Sequence, residues 1–94
     1  MSDIRKEIDG AKGRYVLERG GEEAELTFSI AAPDLVIAEH TGVPDVFRGT
    51  GAGKALVERL IADARAEGFR IVARCSFVDA QRKRHPDWAD LFQV

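Results

Sequence analysis

The chain has 94 residues, of which 45% are hydrophobic and 32% are charged, and its formal net charge is −2. This length is enough for one hydrophobic core and too short for two, and the composition differs from that of disordered chains. A negative net charge offers no general attraction to nucleic acid. We therefore expect one domain over residues 1–94, with residues 1–12 peripheral, and no nucleic-acid partner.

The apolar runs and the cysteine content bear on the compartment in which the protein works. No apolar run approaches the roughly 20 residues that a membrane-spanning helix needs, and the N-terminus is polar, unlike a signal peptide. Cys75 is the single cysteine, so no internal disulfide can form, as is usual in reducing compartments. We expect a cytoplasmic protein that does not bind membranes and is a monomer or a weak dimer.

The first half of the chain has the two-residue alternation of β-strands. Residues 13–19 and 23–31 form two such segments, separated by a Gly-Gly pair that suits a tight hairpin turn. A Pro-Asp pair interrupts the second segment. Residues 35–43 then run apolar on both faces, which predicts an interior strand, and Pro44 ends it because proline lacks an N–H.

The second half predicts a helix, a strand and two shorter helical segments. Apolar residues recur at helical spacing from Gly53, and Gly68 provides the expected stop. Residues 70–75 read as a strand parallel to the interior one, and a helix capped by Ser76 then runs to Arg84. Residues 87–92 read as a last helical turn that packs Trp88, Leu91 or Phe92 onto the body. The whole pattern predicts an α/β (α+β) fold with a mixed, mostly antiparallel sheet.

The turn between the interior strand and the first helix, residues 48–53, has the sequence Arg-Gly-Thr-Gly-Ala-Gly. A helix N-terminus exposes unpaired N–H groups, and glycines let the backbone approach an anion closely, so this turn suits a phosphate group. A P-loop would need Ser or Thr after Lys54, where the chain has Ala55, and the dinucleotide fingerprint spaces its glycines differently. The glycines are also compatible with a tight turn that is packed closely for steric reasons.

The order and spacing of several short segments make the chain similar to a known family. The matching segments are Arg48–Gly53, as Arg-x-x-Gly-x-Gly, Glu39–Val43 before it, Cys75–Val78 after the second strand, and His85–Pro86 near the end. Over residues 14–91 this resembles the GNAT superfamily of acyl-CoA acetyltransferases, in particular its minimal, single-domain members. The resemblance implies a sheet that splays after the strand ending near Val43.

The resemblance also implies a cosubstrate and its contacts. Acetyl-CoA or coenzyme A would place its pantetheine arm in the splay and its diphosphate on the amides of the glycine turn. A basic run before Pro86 would lie beside the adenosine phosphate, although a cationic helix end in solvent explains it equally well. The implied contacts are Thr41, Gly42, Val43, Arg48, Gly49, Thr50, Gly51, Ala52, Gly53, Lys54, Ser76, Lys83 and His85.

Cys75 is a candidate catalytic residue. It lies at the carboxyl end of a strand and just before a helix, where the positive end of the helix dipole favours a thiolate. The family's usual tyrosine proton donor has no counterpart here, and the small members that this chain resembles carry a cysteine at this position. A covalent acetyl-cysteine step is therefore one hypothesis. A buried cysteine that only fills space is the alternative.

His40 is a second candidate, as a base that takes a proton from an acceptor amine. Strand alternation predicts that Glu39 points to the opposite face, so that only one of the two faces the cleft. The two histidines and the cysteine have no recognisable metal-ligand spacing, and we expect no metal site.

Two functions follow from these expectations. The first is acetyl transfer from acetyl-CoA to an amine of unknown identity. The few polar residues before the first clear strand cannot replace the N-terminal helices with which larger family members build an acceptor pocket, so the acceptor side would be open. An open side suits an amine carried by a protein. It equally suits the second function, a module that binds coenzyme A or a protein partner without turnover.

Overall fold

The computed structural model describes residues 4–93, and a five-stranded sheet forms its centre. The strands lie in chain order, and they are β1 (Arg5–Asp9), β2 (Lys12–Arg19), β3 (Glu22–Ala32), β4 (Leu35–Gly42) and β5 (Arg70–Ala73). The first four strands pair antiparallel, and β5 is parallel to β4. The predicted mixed, mostly antiparallel sheet is confirmed, and β4 is an interior strand with a partner on each side.

Helices connect and cover the sheet. They are α1 (Ala52–Glu67), α2 (Ser76–Arg84) and two 3-10 helices, Asp45–Phe47 and Pro86–Leu91. Gly68 ends α1 in the left-handed conformation, as expected. The predicted cap of α2 is wrong, because Cys75 is the N-cap residue, Ser76 is the first residue of the helix, and no side chain caps it.

Strand β1 is an element that the sequence pattern did not predict. It pairs with β2 along its whole length and lies at the edge of the sheet. Its residues are mostly charged, and Arg5 and Glu7 form ion pairs with side chains of β2 and β3. Backbone pairing and cross-strand ion pairs hold this strand in place. Neither interaction requires apolar residues at alternating positions, so the sequence pattern gives no sign of the strand.

The core lies between one face of the sheet, called here the helix face, and the two α-helices. Helix α1 contributes a stripe of buried residues at helical spacing: Leu56, Val57, Leu60, Ile61 and Ala64. The C-terminal segment closes one end, with Trp88, Leu91 and Phe92 buried, so the predicted packing of this segment is confirmed. Phe92 also bridges to Ile71, which covers the outer edge of β5.

The opposite face of the sheet, called here the open face, carries mostly polar side chains. Its ion pairs cross β1, β2 and β3 and involve Arg5, Glu7, Arg14, Glu18, Glu23 and Glu25. Among the described residues, no helix is long and apolar enough to cross a membrane.

An extra residue in β4 changes the alternation of its side chains. Phe28 of β3 pairs with Ala38, but the preceding residue, Thr27, pairs with His40, so Glu39 is left over as a β-bulge. Directly paired residues share a face of the sheet. Thr41, which pairs with the buried Leu26, therefore lies on the helix face, whereas an unbroken strand would place it on the open face.

Helices α1 and α2 meet at Gly53 in the first turn of α1. A Cβ at this position would lie 2.8 Å from Cζ of Phe77, which is closer than real side chains approach. Gly53 therefore has a packing role, since only glycine lets the Phe77 ring lie against the backbone of α1.

Asp63 of α1 is the acceptor in a partly buried network. It accepts hydrogen bonds from the Tyr15 hydroxyl at 2.8 Å and from Arg59 Nε at 3.2 Å, and Lys6 Nζ lies 3.2 Å away. Burial raises the pKa of Asp63, but the bonds from Tyr15, Lys6 and Arg59 outweigh it, and the pKa lies below its usual value. Burial and the bond to Asp63 raise the pKa of Tyr15.

We expect Asp63→Asn to lower the free energy of unfolding by about 1–3 kcal/mol at neutral pH, because buried donors lose a charged acceptor. A carboxyl with a lowered folded pKa contributes stability above its unfolded pKa of roughly 4, and loses it as the pH falls through the folded value. The deficit should therefore shrink in acid, as measured by urea unfolding at several pH values. The control Asp90→Asn, whose side chain is 68% exposed, should cost less than about 0.5 kcal/mol. A deficit independent of pH would contradict this account.

We expect Gly53→Val to cost about 1–3 kcal/mol, because its Cβ and methyl groups would overlap the Phe77 ring. Thermal unfolding would measure the loss. The control Lys54→Val, at the exposed neighbouring position, should cost only the helix propensity of valine, under about 1 kcal/mol. The double variant with Gly53→Val and Phe77→Ala has no ring to clash with. Its loss of stability should therefore be smaller than the sum of the losses in the two single variants. Equal stability of Gly53→Val and Lys54→Val would show that Phe77 does not set the requirement.

Candidate functional site

The candidate site is a fork between β4 and β5 at the carboxyl end of both strands. Their parallel pairing ends at Ala38 and Ala73, where the Ala38 carbonyl accepts two hydrogen bonds, from the amides of Arg74 at 3.0 Å and Cys75 at 2.9 Å. Beyond this point β4 continues to Gly42, whereas the chain after β5 turns into α2. The sheet thus splays near the end of β4, and the strand residues 39–42 have no β5 partner.

Two pairs of side chains flank the fork, one on each face of the sheet. On the helix face, Thr41 Oγ1 and Cys75 Sγ are 3.2 Å apart. On the open face, Arg74 Nη1 lies 4.0 Å from Glu39 Oε1. Cys75 is 7% exposed and belongs to the core cluster, so its thiol lies at the inner end of the fork.

The glycine turn follows β4 and leads into α1. Gly49 and Gly51 have positive φ angles of 78° and 75°, and a Cβ on either would meet no atom within 4 Å. Both are glycine for backbone conformation, and space remains open beside both. Thr50 supports the turn, because its hydroxyl bonds to the Phe47 carbonyl and accepts the Ala52 amide.

The start of α1 presents backbone donors to this open space. The first N–H groups of a helix have no acceptor one turn earlier, and Gly51, the N-cap residue, supplies no side-chain acceptor. Within the described residues, the Ala55 amide donates to the Gly51 carbonyl, but the amides of Gly53 and Lys54 find no backbone acceptor in the turn. With the positive end of the helix dipole, these amides form a suitable cradle for phosphate oxygens.

The two charged residues of the turn, Arg48 and Lys54, are exposed. The Arg48 side chain is 82% exposed and lies 3.2 Å from Asp45, itself exposed. Lys54 is exposed in the first turn of α1. Exposed ion pairs contribute little and exchange readily for a stronger anion, so both cations are available to a diphosphate.

The remaining predicted contacts lie at different distances from the fork. Gly42 ends β4, Val43 is 41% exposed beyond it, and Ser76 is exposed at the start of α2. Lys83 and His85 lie at the far end of α2, roughly 10 Å along the helix from its start. They are therefore not neighbours of the fork itself.

The basic run at the end of α2 already has partners. Lys83 Nζ is 3.1 Å from Asp79, and hydrogen bonds from Lys83 and Arg82 lower the pKa of this carboxyl. The His85 ring stacks on Trp88 with 3.8 Å between centroids. These local contacts account for the basic residues at the end of α2 without a ligand. A contact of these residues with an adenosine phosphate stays a prediction.

The open face contains a groove of about 580 Å³ that reaches Glu39 at the fork. The charged and polar side chains that line it are Glu7, Asp9, Lys12, Arg14, Thr27 and Glu39. A row of hydrogen bonds crosses it, because Lys12 Nζ donates to Ser29 Oγ at 3.0 Å and Ser29 Oγ donates to Glu39 Oε2 at 2.8 Å. Hydrogen bonds from Arg5 and Arg14 lower the pKa of Glu7.

The prediction that the side chains of Glu39 and His40 point to opposite faces of the sheet is wrong. His40 pairs with Thr27, a residue of the groove, and Glu39 bonds to Ser29 on the same face, so both side chains lie on the open face. The β-bulge at Glu39 is the physical reason, because it adds one residue to the alternation. Sequence reasoning therefore missed Glu39. The available signal was a pair of consecutive polar residues directly after an apolar run.

Metal chemistry has no support in this geometry. Within residues 4–93, no three His, Cys, Asp or Glu side chains come together in a way that could hold a metal ion. Cys75 and His40 lie on opposite faces of the sheet, and His85 is stacked on Trp88.

Comparison with known proteins agrees with this arrangement. A family model described as GCN5-related N-acetyl-transferase matches residues 14–91. Protein NATD1 of Xenopus tropicalis is 28% identical over 87 residues, which are 90% of this chain and 80% of the relative. Protein NATD1 of Bos taurus is 27% identical over 85 residues, which are 88% of this chain and 75% of the relative.

A solved structure has the same fold. The solution NMR structure of a GCN5-like protein from Staphylococcus aureus superposes with a TM-score of 0.69 and 26% sequence identity, covering 99% of this chain and 91% of that one. The range matched by the family model, residues 14–91, contains strand β4, the glycine turn and the segment with Cys75. The chain belongs to the family of GCN5-related N-acetyltransferases.

Proposed function

We propose that this protein transfers an acetyl group from acetyl-CoA to an amine, and that the transfer takes place at the fork between β4 and β5. The family generally uses acetyl-CoA as cosubstrate. The observation that carries the proposal is the convergence of the splayed strands, the open amides of the glycine turn and the thiol of Cys75 at one end of the sheet.

The residues of the turn fit the diphosphate of coenzyme A. The space beside Gly49 and Gly51 is one that a Cβ would partly fill, and the uncapped N-terminus of α1 follows directly after Gly51. Arg48 and Lys54 add exposed positive charge at the same place. Beyond the fork, β4 offers backbone amides near Thr41–Val43 that have no β5 partner and can bind a carbonyl oxygen.

When bound, acetyl-CoA supplies an activated acetyl group as a thioester. Cys75 would take this group by forming a bond from Sγ to the acetyl carbon, while the bond to the coenzyme A sulfur breaks. That sulfur leaves with the electron pair and takes up the proton that Sγ gives up, so that coenzyme A leaves as the thiol. The acceptor nitrogen then bonds to the same carbon, the bond to Sγ breaks, and the amide product leaves with Cys75 restored. The nitrogen loses one proton in this second step.

A base for that proton lies on the open face. Glu39 borders the fork, lines the groove and accepts a hydrogen bond from Ser29, and His40 follows it on the same face. The acceptor would therefore approach from the open face, while the thiol lies on the helix face. The groove is wide and open, so we propose an amine at the end of a chain, such as one carried by a protein or peptide.

Binding of the cosubstrate is the first point to test, by calorimetric titration with coenzyme A and acetyl-CoA. We expect saturable one-to-one binding by the wild-type protein, and an affinity that falls at least about tenfold in Gly51→Ala. The control is Gly68→Ala at the end of α1, since Gly68 also has a positive φ, 78°, with open space beside it. Both changes should destabilise by about 1–2 kcal/mol, because alanine is strained there. Equal affinity of both variants for coenzyme A would exclude the turn as the binding site.

The thiol route is tested by turnover with a panel of peptide and small amines. We expect Cys75→Ala to lose at least about a hundredfold in rate while keeping its affinity for acetyl-CoA. We expect His40→Ala to stay active, because Glu39 remains as the base on the open face. Mass spectrometry of the quenched wild-type reaction should find one acetyl group on Cys75. An unchanged rate in Cys75→Ala would contradict the covalent route. Tight binding of acetyl-CoA with no turnover on any amine would favour a module that only binds the cosubstrate.

A further inference from the structure

The side chain of Thr41 makes a specific contact with the candidate nucleophile. Its Oγ1 lies 3.2 Å from Sγ of Cys75, which is within hydrogen-bond distance for sulfur. This is the one hydrogen bond that the Thr41 hydroxyl makes within residues 4–93. Likewise, it is the one side-chain hydrogen bond of Cys75 among those residues.

The β-bulge in β4 creates this contact. Thr41 pairs with Leu26 and so shares the helix face with Ala38, three residues earlier. Without the extra residue at Glu39, Thr41 would lie on the open face with Ile37, away from the thiol. The sheet therefore brings the two side chains together by its register, although they are 34 residues apart in sequence.

We propose that Thr41 is a positioning residue for the thiol of Cys75, which it holds at the inner end of the fork and to whose sulfur it donates a hydrogen bond during nucleophilic attack. In the neutral thiol either atom can be the donor of the bond. A thiolate has no proton to donate, so in that form the hydroxyl must donate to sulfur, and such charge-assisted bonds are the stronger ones. The role rests on the proposed function, in which Cys75 is the nucleophile.

The local structure suits a positioning role. Threonine is branched at Cβ and has few rotamers, so a hydroxyl on a paired strand residue keeps its direction. The backbone amide of Cys75 is fixed by its bond to the Ala38 carbonyl at 2.9 Å, so both ends of the contact are held by the same strand. Cys75 is also 7% exposed, which leaves little water to replace the hydroxyl as a donor.

The test compares Thr41→Val, which removes the hydroxyl but keeps the shape, with Thr41→Ser, which keeps the hydroxyl. The readout is the rate at which iodoacetamide alkylates the single cysteine of the full chain at fixed pH, followed by mass spectrometry. We expect Thr41→Val to react about tenfold or more slowly than wild type and Thr41→Ser to react within about threefold of it. Tyr15→Phe, which removes a hydroxyl that is bonded to Asp63 of α1, is the control and should react at the wild-type rate.

The proposal is overturned if Thr41→Val reacts as fast as wild type or faster, or if Thr41→Ser is as slow as Thr41→Val. The second result would mean that shape, and not the hydroxyl, matters. Alkylation needs no acetyl-CoA, so it is independent of the proposed cosubstrate. If Cys75→Ala loses turnover and Thr41→Val alkylates normally, the positioning role alone fails. If Cys75→Ala keeps full turnover, the thiol route fails, and with it the catalytic use of the contact.

Discussion

The additional residue in β4 is the constraint on which the site depends. Up to Ala38, β4 pairs with β3 on one side and β5 on the other. The Ala38 carbonyl accepts hydrogen bonds from the amides of Arg74 and Cys75, which directly follow β5. The bulge at Glu39 follows at once. A bulge bends its strand and increases its local twist, so β4 leaves the direction of β5 where that strand ends. The opening and the change in side-chain faces thus have one origin.

The same change divides the chemical groups between the two faces. Thr41 and Cys75 meet on the helix face, in a region closed by the core, and Glu39 lies with His40 on the face that is open to solvent. A buried thiol is protected from bulk water, whereas a base that must release its proton needs contact with solvent. In the proposed reaction, the acetyl group is held on the side of the fork that excludes water, and the amine arrives from the other side.

Local patterns in the sequence predict most of the fold but only part of the site. Alternation and helical spacing locate four strands, the two α-helices and the C-terminal 3-10 helix, because these patterns reflect burial of one face, but they miss the short 3-10 helix at Asp45–Phe47. They miss β1, whose exposed side chains are held by ion pairs with β2 and β3. They also miss the bulge, because it depends on which residue of β3 pairs with which residue of β4. The alternation within one strand does not determine this register. The orientation of Glu39 and the contact of Thr41 follow from that register.

The glycine motif combines two physical requirements that its spacing alone does not separate. Gly51 needs a positive φ and leaves an open space that a ligand can occupy, whereas a Cβ at Gly53 would meet the Phe77 ring whether or not a ligand is bound. Open space that a phosphate could fill therefore lies beside Gly51, whereas Gly53 offers only its backbone amide. Gly53 instead fixes how closely α2 approaches α1, and Cys75 is the N-cap residue of α2. The packing at Gly53 therefore also bears on the candidate site, because it sets the position of α2 and of the Cys75 thiol at its N-terminus.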